Sequence, residues 1–239
     1  PMLPFANRAF GGVVEDGDIR FEVPRNDHTG DGAIHGFGWQ DDWAVEESGP
    51  TRVVLRHSRS EGPDPYRYDC RQTIALGPEG LRIDLEVVNR ADRTLPYGFG
   101  QHPWFPVAGA TLKLAAEAFL RIRPDFHAVG VEPLGPDQDF SAAKPVAAEF
   151  ERVVNFLGWD GRAEIDDPAE GCRVLLTAAP IFGTPLLWAP TKADFFCLEP
   201  QSHAVGAPAD AIARAASPLK RLAPGEAMSG WIAIRQEAV

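Results

Sequence analysis

Glycine and proline interrupt this chain so often that long helices have little room to form. The 239 residues include 23 glycines and 22 prolines, which together make almost a fifth of the chain. Proline lacks the amide hydrogen that a helix interior needs, and glycine costs backbone entropy there. Only residues 210–216 have the alanine content of a helix, and they are few. The sequence therefore predicts an architecture with little helix.

Short runs with a period of two residues lie between the interruptions. Residues 81–87 alternate apolar and charged side chains after the turn at 78–80, and 53–55, 111–114 and 120–123 follow the same pattern. Such alternation is typical of strands with one buried face. A hairpin is predicted from 13–14 and 19–23, and a final strand from 227–234. The continuously apolar runs 172–177 and 193–198 predict strands buried on both faces.

These segments together predict an all-β chain with many antiparallel strands. The proline-rich residues 133–145 predict a long surface loop. Because no linker divides the chain, we predict a single domain over residues 1–239.

Charge and hydropathy exclude several classes of partner. The formal net charge is −11, from 23 Lys and Arg against 34 Asp and Glu, and the basic residues are scattered. Nucleic-acid binding relies on clustered basic residues, so we expect no nucleic-acid partner. No window approaches the ~20 apolar residues of a membrane helix, and no secretory pattern stands at the start. We therefore expect a cytoplasmic protein without a membrane partner.

The cysteines and the motif inventory predict no cofactor. Cys70, Cys172 and Cys197 lie far apart without CxxC spacing, so each is interpreted as a small buried strand residue. No His-x-His, HExxH or carboxylate cluster indicates a metal, and no glycine-rich loop before a helix indicates a nucleotide.

The six histidines differ in their sequence context. His57 is predicted to be a solvated residue at a strand end, and His28 and His127 to be exposed loop histidines. His203 is interpreted as a loop histidine, with a partnership to Glu199 as the alternative.

His102 and His35 have richer surroundings. His102 lies between two glycines and the pair Trp104-Phe105, whose flat rings could pack against the C–H face of a sugar. On spacing alone, a hydrogen-bonded histidine in an aromatic cluster is the favoured interpretation. His35 is interpreted in the same way as a loop histidine packed on Trp39.

Glu199 follows four apolar residues at the end of a predicted strand. Glutamate in such a position is paired, exposed or functional. Partial burial would raise its pKa toward the range useful for proton transfer. An ordinary carboxylate at a strand end explains the same context equally well. Arg8, beside an apolar run, would on its own be interpreted as a surface arginine.

Five short motifs, taken in order, resemble the aldose 1-epimerase (galactose mutarotase) family. They span most of the chain, and five in the right order are more specific than any one of them. The motifs are Phe5-Ala6-Asn7-Arg8, Ile34-His35-Gly36-Phe37-Gly38-Trp39, Gly100-Gln101-His102-Pro103-Trp104-Phe105, Phe156-Leu157-Gly158-Trp159-Asp160-Gly161 and Phe196-Cys197-Leu198-Glu199-Pro200.

The resemblance implies a fold, an activity and a set of site residues. It implies a large antiparallel β-sandwich that interconverts the α and β anomers of free aldoses without a metal or organic cofactor. By resemblance, His102 matches the general acid at the ring oxygen and Glu199 the general base at the anomeric hydroxyl. Arg8 and His35 match residues that hold sugar hydroxyls, and Asn7 and Trp104 are added as substrate-binding candidates.

The chain departs from the family pattern at two places. The family offers an aspartate to sugar hydroxyls from the segment that is residues 151–156 here, and this segment has none. Asp160 and Asn155 are the candidates to replace it. Relatives also have strands before the Asn-Arg motif, so an N-terminal portion is expected to precede Pro1.

Two alternative functions remain open from the sequence. One keeps the fold but takes a hexose 6-phosphate, which calls for extra basic residues near the pocket, with Arg8, Arg71 and Arg152 as candidates. The other is a non-catalytic carbohydrate-binding module, for which an acid–base pair would be unnecessary. The partner in each case is a small sugar, and the chain is expected to be a monomer or homodimer.

Overall fold

The structure is a computed structural model that describes residues 1–28, 30, 32–147 and 150–238. It contains 21 strands, one short 3₁₀ turn at Pro180–Phe182 and one α-helix, α1 (Ala211–Ala216), within those residues. The strands are β1 (Arg8–Phe10), β2 (Val13–Asp16), β3 (Ile19–Glu22), β4 (Gly32–Ile34), β5 (Ala44–Ser48), β6 (Arg52–Arg59), β7 (Tyr68–Gly77), β8 (Gly80–Asn89), β9 (Leu95–Tyr97), β10 (Trp104–Pro106), β11 (Thr111–Leu114), β12 (Ala118–Ile122), β13 (Ala128–Pro133), β14 (Lys144–Pro145), β15 (Arg152–Leu157), β16 (Arg162–Asp167), β17 (Cys172–Ala178), β18 (Leu186–Ala189), β19 (Phe195–Glu199), β20 (Lys220–Leu222) and β21 (Ala227–Ala238).

Two large antiparallel sheets make up most of the molecule, so the all-β prediction is confirmed. The nine-stranded sheet has the order β14-β11-β16-β17-β21-β8-β7-β6-β5, and the six-stranded sheet β10-β19-β18-β15-β12-β13. Many sheet neighbours are also neighbours along the chain, as short antiparallel connections require. The predicted hairpin is present as β2 and β3.

Alternation along the strands builds one buried core from both sheets. In β8, Leu85 and Val87 are buried while Glu86 between them is exposed. Phe156 and Phe196 of the six-stranded sheet belong to the same buried cluster. Burying these apolar side chains supplies most of the favourable free energy of folding.

The two continuously apolar runs differ in burial. β19 is buried on both faces from Phe196 to Glu199, as predicted. The same prediction is wrong for β17, where Arg173, Val174 and Leu175 are only half-buried. The physical reason is that β17 belongs to the nine-stranded sheet. The face of that sheet turned away from the core carries charged side chains such as Arg173.

The functional motifs meet because backbone hydrogen bonds join four distant segments. Residues 2–7 lie between residues 34–38 and residues 98–101, and residues 98–101 in turn pair with residues 200–202. The bonds include Met2 N–H to Gly100 O (2.9 Å), Gly98 N–H to Pro4 O (2.7 Å), His35 N–H to Asn7 O (2.8 Å) and Gln101 N–H to Pro200 O (3.0 Å). Four of the five motifs identified in the sequence thus belong to or adjoin segments that touch one another in space.

Two glycines permit this close approach. Gly36 has a φ of 62°, and a Cβ there would lie 2.2 Å from the Leu3 carbonyl oxygen. A Cβ on Gly98 would lie 2.1 Å from the His203 ring. Larger residues at either position would push these segments apart.

His57 and His203 are both buried. The prediction for His57 is wrong, because Trp43 and Asp41 cover its ring and Asp41 Oδ2 lies 3.1 Å from its Nε2. His203 does lie in a loop, but it is fully buried. Its Nε2 accepts the Ala6 N–H at 3.0 Å, and its Nδ1 donates to the Ala204 carbonyl at 2.9 Å. His203 therefore fixes the segment that carries Asn7 and Arg8.

No helix within the described residues is long and apolar enough to cross a membrane.

We expect His203 to make the stability of the fold depend on pH. Burial lowers its pKa to about 4, although the bond to Ala204 acts in the opposite direction. In the unfolded chain the pKa is about 6.5, so the unfolded chain takes up the proton first. Stability should therefore fall as the pH drops from about 6.5 to about 4, by at most roughly 3 kcal/mol, and then level off.

Urea unfolding of wild type and His203→Gln at about pH 7 and about pH 4.5 tests this prediction. The variant should be less stable at the higher pH, because the Ala6 N–H loses its acceptor, and should lose less stability on acidification. His28→Gln, at an exposed position, is the control. Equal acid-induced losses in wild type and His203→Gln would contradict the prediction.

Candidate active site

A pocket of about 240 Å³ lies where the four joined segments meet the six-stranded sheet. Most of the side chains around it can form hydrogen bonds, while Ile34, Phe126, Leu186 and Trp188 supply apolar surface. The remaining lining residues are Asn7, Arg8, His35, His102, Glu151 and Glu199. Of the eight predicted site residues, five therefore line one pocket.

Strand register brings Glu199 to the pocket floor. Glu199 is the last residue of β19 and lies opposite Leu186 of β18. Cys197, two residues earlier, faces the same side of the strand and lies opposite both Trp104 and Trp188. His102 reaches Glu199 because it lies two residues before the start of β10, which pairs with β19.

His102 and Glu199 form the central pair. The His102 Nε2 lies 3.2 Å from Glu199 Oε1, and the carboxylate is 2% exposed. The second oxygen, Oε2, accepts a hydrogen bond from the Gln201 amide at 2.9 Å. The His102 ring stacks on Trp104, with 5.5 Å between centroids.

Burial drives the pKa values of this pair in opposite directions. It raises the pKa of Glu199 to about 8, against the lowering effect of the Gln201 hydrogen bond. It lowers the pKa of His102 to about 4. Between these values the pair holds one proton, so at neutral pH it contains one proton donor and one acceptor side by side.

His35 and Arg8 also line the pocket, and the His35 ring meets the His102 ring edge to face, with 5.5 Å between centroids. The His35 Nδ1 accepts the Asn7 N–H at 3.0 Å, and burial lowers the pKa of His35 to about 3. The ring is therefore neutral, and its Nε2–H remains as a donor. Arg8 forms an ion pair with Asp27, and its guanidinium lies 4.6 Å from the centre of the Phe126 ring.

The other sequence candidates lie at different distances from the pocket. Asn7 lines it through a left-handed backbone with φ 55°. Trp104 stands beside it, 57% exposed, behind the His102 ring. The structure does not bring Asn155 and Asp160 to the pocket lining.

Asn155 and Asp160 make hydrogen bonds with protein groups outside the pocket lining instead. The Asn155 side chain is fully buried and donates to the carbonyls of Thr184 and Pro185, while its oxygen accepts from Val205 N–H. Asp160 lies in an exposed turn and accepts from the Arg162 N–H at 3.0 Å. Because these bonds use most of the polar groups of Asn155, that residue is occupied in tying the segments at 184–185 and 205 to β15.

Glu151 is a pocket carboxylate that the sequence candidates did not include. It lies at the pocket rim, and its Oε1 accepts a hydrogen bond from the Trp188 Nε1–H at 2.8 Å. The pairing of Val153 with Trp188 explains the contact, because Glu151 lies two residues before Val153 and faces the same side. The available signal was a carboxylate in the segment where an aspartate was expected.

One cluster of side chains beside the pocket combines donor atoms that metal sites use. A ring nitrogen of His102, the Cys197 sulfur and a Glu199 oxygen all lie within 4.8 Å of one another. These residues offer nitrogen, sulfur and oxygen donors, which suit Zn²⁺ and related transition metals.

Comparisons with known proteins identify the family of this chain. The family model described as Aldose 1-epimerase matches residues 1–235. The uncharacterized protein YphB of Escherichia coli K12 is 30% identical over 246 residues, which covers 99% of this chain and 83% of YphB.

Solved structures show the same fold. A crystal structure named "putative aldose 1-epimerase" from Escherichia coli K12 matches with a TM-score of 0.89 and 28% identity, covering 100% of this chain and 83% of the other. A galactose mutarotase-like protein from Clostridium acetobutylicum matches with a TM-score of 0.82 and 19% identity, covering 98% of this chain and 78% of the other.

Proposed function

This chain belongs to the aldose 1-epimerase family, and from that premise we propose that it is an isomerase interconverting the α and β anomers of a free aldose. The observation that carries the proposal is the His102–Glu199 pair, whose Nε2 and Oε1 atoms lie 3.2 Å apart at a pocket of about 240 Å³. Anomer exchange needs one proton removed from the anomeric hydroxyl and one delivered to the ring oxygen.

The proposed reaction opens and recloses the sugar ring. Glu199 takes the proton from O1, His102 gives a proton to the ring oxygen O5, and the C1–O5 bond breaks to leave a free aldehyde. Rotation about C1–C2 then presents the other face of the carbonyl. Return of the proton from O5 to His102 and from Glu199 to O1 closes the ring as the other anomer.

The buried environment suits this exchange. In water, a carboxylate and an imidazolium keep the proton on histidine, because the pKa of imidazole is the higher. Burial raises the pKa of Glu199 to about 8 and lowers that of His102 to about 4, which reverses this preference, so the free pair carries its proton on Glu199. Ring opening as proposed begins once this proton has passed to His102 across their 3.2 Å contact, and it returns the pair to the favoured state. The state after ring opening, with the proton on Glu199 and a neutral His102, is therefore accessible without charge separation in the core.

The remaining pocket groups support binding of a neutral sugar. Arg8 and the His35 Nε2–H are donors, Glu151 is an acceptor, and Trp188 offers a flat apolar face. We propose that Glu151 accepts a sugar hydroxyl in place of the aspartate that the family motif leads one to expect.

The hexose 6-phosphate alternative has less support. Arg71 pairs with Glu46 on the nine-stranded sheet, and Arg152 donates to the carbonyls of Pro145 and Val146. Neither belongs to the pocket lining, and Arg8 is already paired with Asp27. The non-catalytic alternative leaves the buried proton-sharing pair without a use.

Polarimetry on freshly dissolved α-glucose and α-galactose tests the proposed activity. Wild type should speed relaxation to the equilibrium rotation, while His102→Ala and Glu199→Gln should each lose ~10²–10⁴-fold, because each removes one proton transfer. His28→Ala and Glu79→Gln, both exposed, are matched controls that should keep full activity. Relaxation no faster than in buffer, for every aldose tested, would refute the proposed activity.

The role of Glu151 predicts a separate effect on substrate binding. Glu151→Gln should raise KM about tenfold or more while leaving kcat within a few-fold, because a charged acceptor is lost away from the reacting atoms. The measurement is progress-curve polarimetry on a set of aldoses that differ at one hydroxyl each, with Glu132→Gln as control. The KM increase should be smallest for the epimer whose altered hydroxyl no longer meets Glu151. A uniform loss of kcat with unchanged KM would contradict this role.

A further inference from the structure

Cys197 belongs to the same cluster as the proposed acid–base pair but has no part in the proposed reaction. It faces the same side of β19 as Glu199, and it lies in register between Trp104 and Trp188. Its thiol is free and fully buried. His102, from a segment distant in the sequence, thus meets two neighbouring side chains of β19 beside the pocket.

The distances suit a small transition-metal ion. The three donor atoms lie within 4.8 Å of one another, and His102 Nε2 and Glu199 Oε1 are only 3.2 Å apart. Zn²⁺ binds nitrogen and oxygen at about 2.0–2.2 Å and sulfur at about 2.3 Å, so its tetrahedral ligands lie roughly 3.3–3.8 Å apart. The widest pair in the cluster would need to close by about 1 Å, which side-chain rotation can supply.

The donor atoms can be used without breaking the surrounding structure. Glu199 Oε1 can bind an ion while Oε2 keeps its bond from Gln201, which would orient the carboxylate as an outer partner. The buried His102 Nδ1 has no hydrogen-bond partner among the described residues, so no such bond is lost if the ring shifts. His102 is 23% exposed and lines the pocket, which gives an ion a route to the cluster.

We infer that His102, Cys197 and Glu199 form a binding site for a thiophilic divalent ion, with Zn²⁺ as the expected occupant. Binding releases to solvent both the Cys197 thiol proton and the proton of the His102–Glu199 pair. It leaves a thiolate ligand, which favours Zn²⁺ and Co²⁺ over Mg²⁺ and Ca²⁺. The site itself is independent of the proposed function. Its consequence rests on that function, because an ion held by His102 and Glu199 blocks both proton transfers.

Spectroscopy of the Co²⁺-loaded protein tests the site without any activity assay. Co²⁺ added to the full chain under reducing conditions should produce the near-ultraviolet sulfur-to-cobalt charge-transfer band, and added Zn²⁺ should abolish it by displacement. Cys197→Ala should lose the band, while Cys172→Ala, which removes another buried cysteine, should keep it. Cys197→Ser, closer in size, serves if the alanine variant does not fold. A band that persists in the Cys197 variants, or no band in wild type at excess Co²⁺, overturns the inference.

Inhibition of anomer exchange tests the consequence. Zn²⁺ should slow wild type and Cys172→Ala at similar concentrations, and loss of Cys197 should raise the required concentration at least tenfold, each rate being normalised to the same variant with a chelator. Mg²⁺ should not inhibit. Equal Zn²⁺ sensitivity with and without Cys197 overturns the proposed link between this site and inhibition. A cobalt band in a protein with no anomerase activity would instead keep the site and refute the proposed function.

Discussion

A carboxyl group buried against an imidazole is the interaction on which the rest of the site depends. Glu199 is 2% exposed, and burying an ionisable group costs free energy that an apolar side chain would not. The Gln201 amide on one oxygen and the His102 ring beside the other limit that cost. Because burial also lowers the pKa of His102, the pair can hold a single proton with no net charge in the core. The buried pair therefore lowers the stability of the fold locally, and it provides a matched proton donor and acceptor.

The pair is held in place by backbone contacts rather than by the two side chains alone. Residues 2–7 bond to both the His35 segment and the segment before His102, and His203 ties Ala6 into the core. Gly36 and Gly98 allow these chains to lie closer than any Cβ would permit. The pocket is therefore assembled from segments that are distant in sequence, and each depends on the packing of the others. A substitution at Gly98 should disturb the pocket without touching any group that meets the sugar.

The strands could be predicted because alternation leaves a local signal, whereas His102 and Glu199 were singled out only by the resemblance of the ordered motifs to a known family. Period-two alternation marked β8, and two short motifs marked His102 and Glu199. Other features depend on contacts between segments far apart in the sequence, which no local pattern encodes. His57 is buried because Trp43 folds over it, and Asn155 is used by a loop some thirty and fifty residues away. Glu151 and Cys197 lie at the pocket only through the register of β15 and β19, and a shift of one residue would turn either away.

The proposed proton transfer and the proposed metal binding use the same residues because both require a side chain with an available lone pair. A group that takes a proton near neutral pH is a Lewis base with an available lone pair, and two such groups within 3.2 Å can also hold a cation between them. In most acid–base pairs a third donor is lacking, so the ion is held weakly. Here β19 supplies one, since the residue two positions before the base must face the same side, and it is a cysteine. An alanine at that position would preserve the small volume between Trp104 and Trp188 while removing the sulfur. Under the proposed function, the cysteine at this single strand position links anomer exchange to the availability of transition metals.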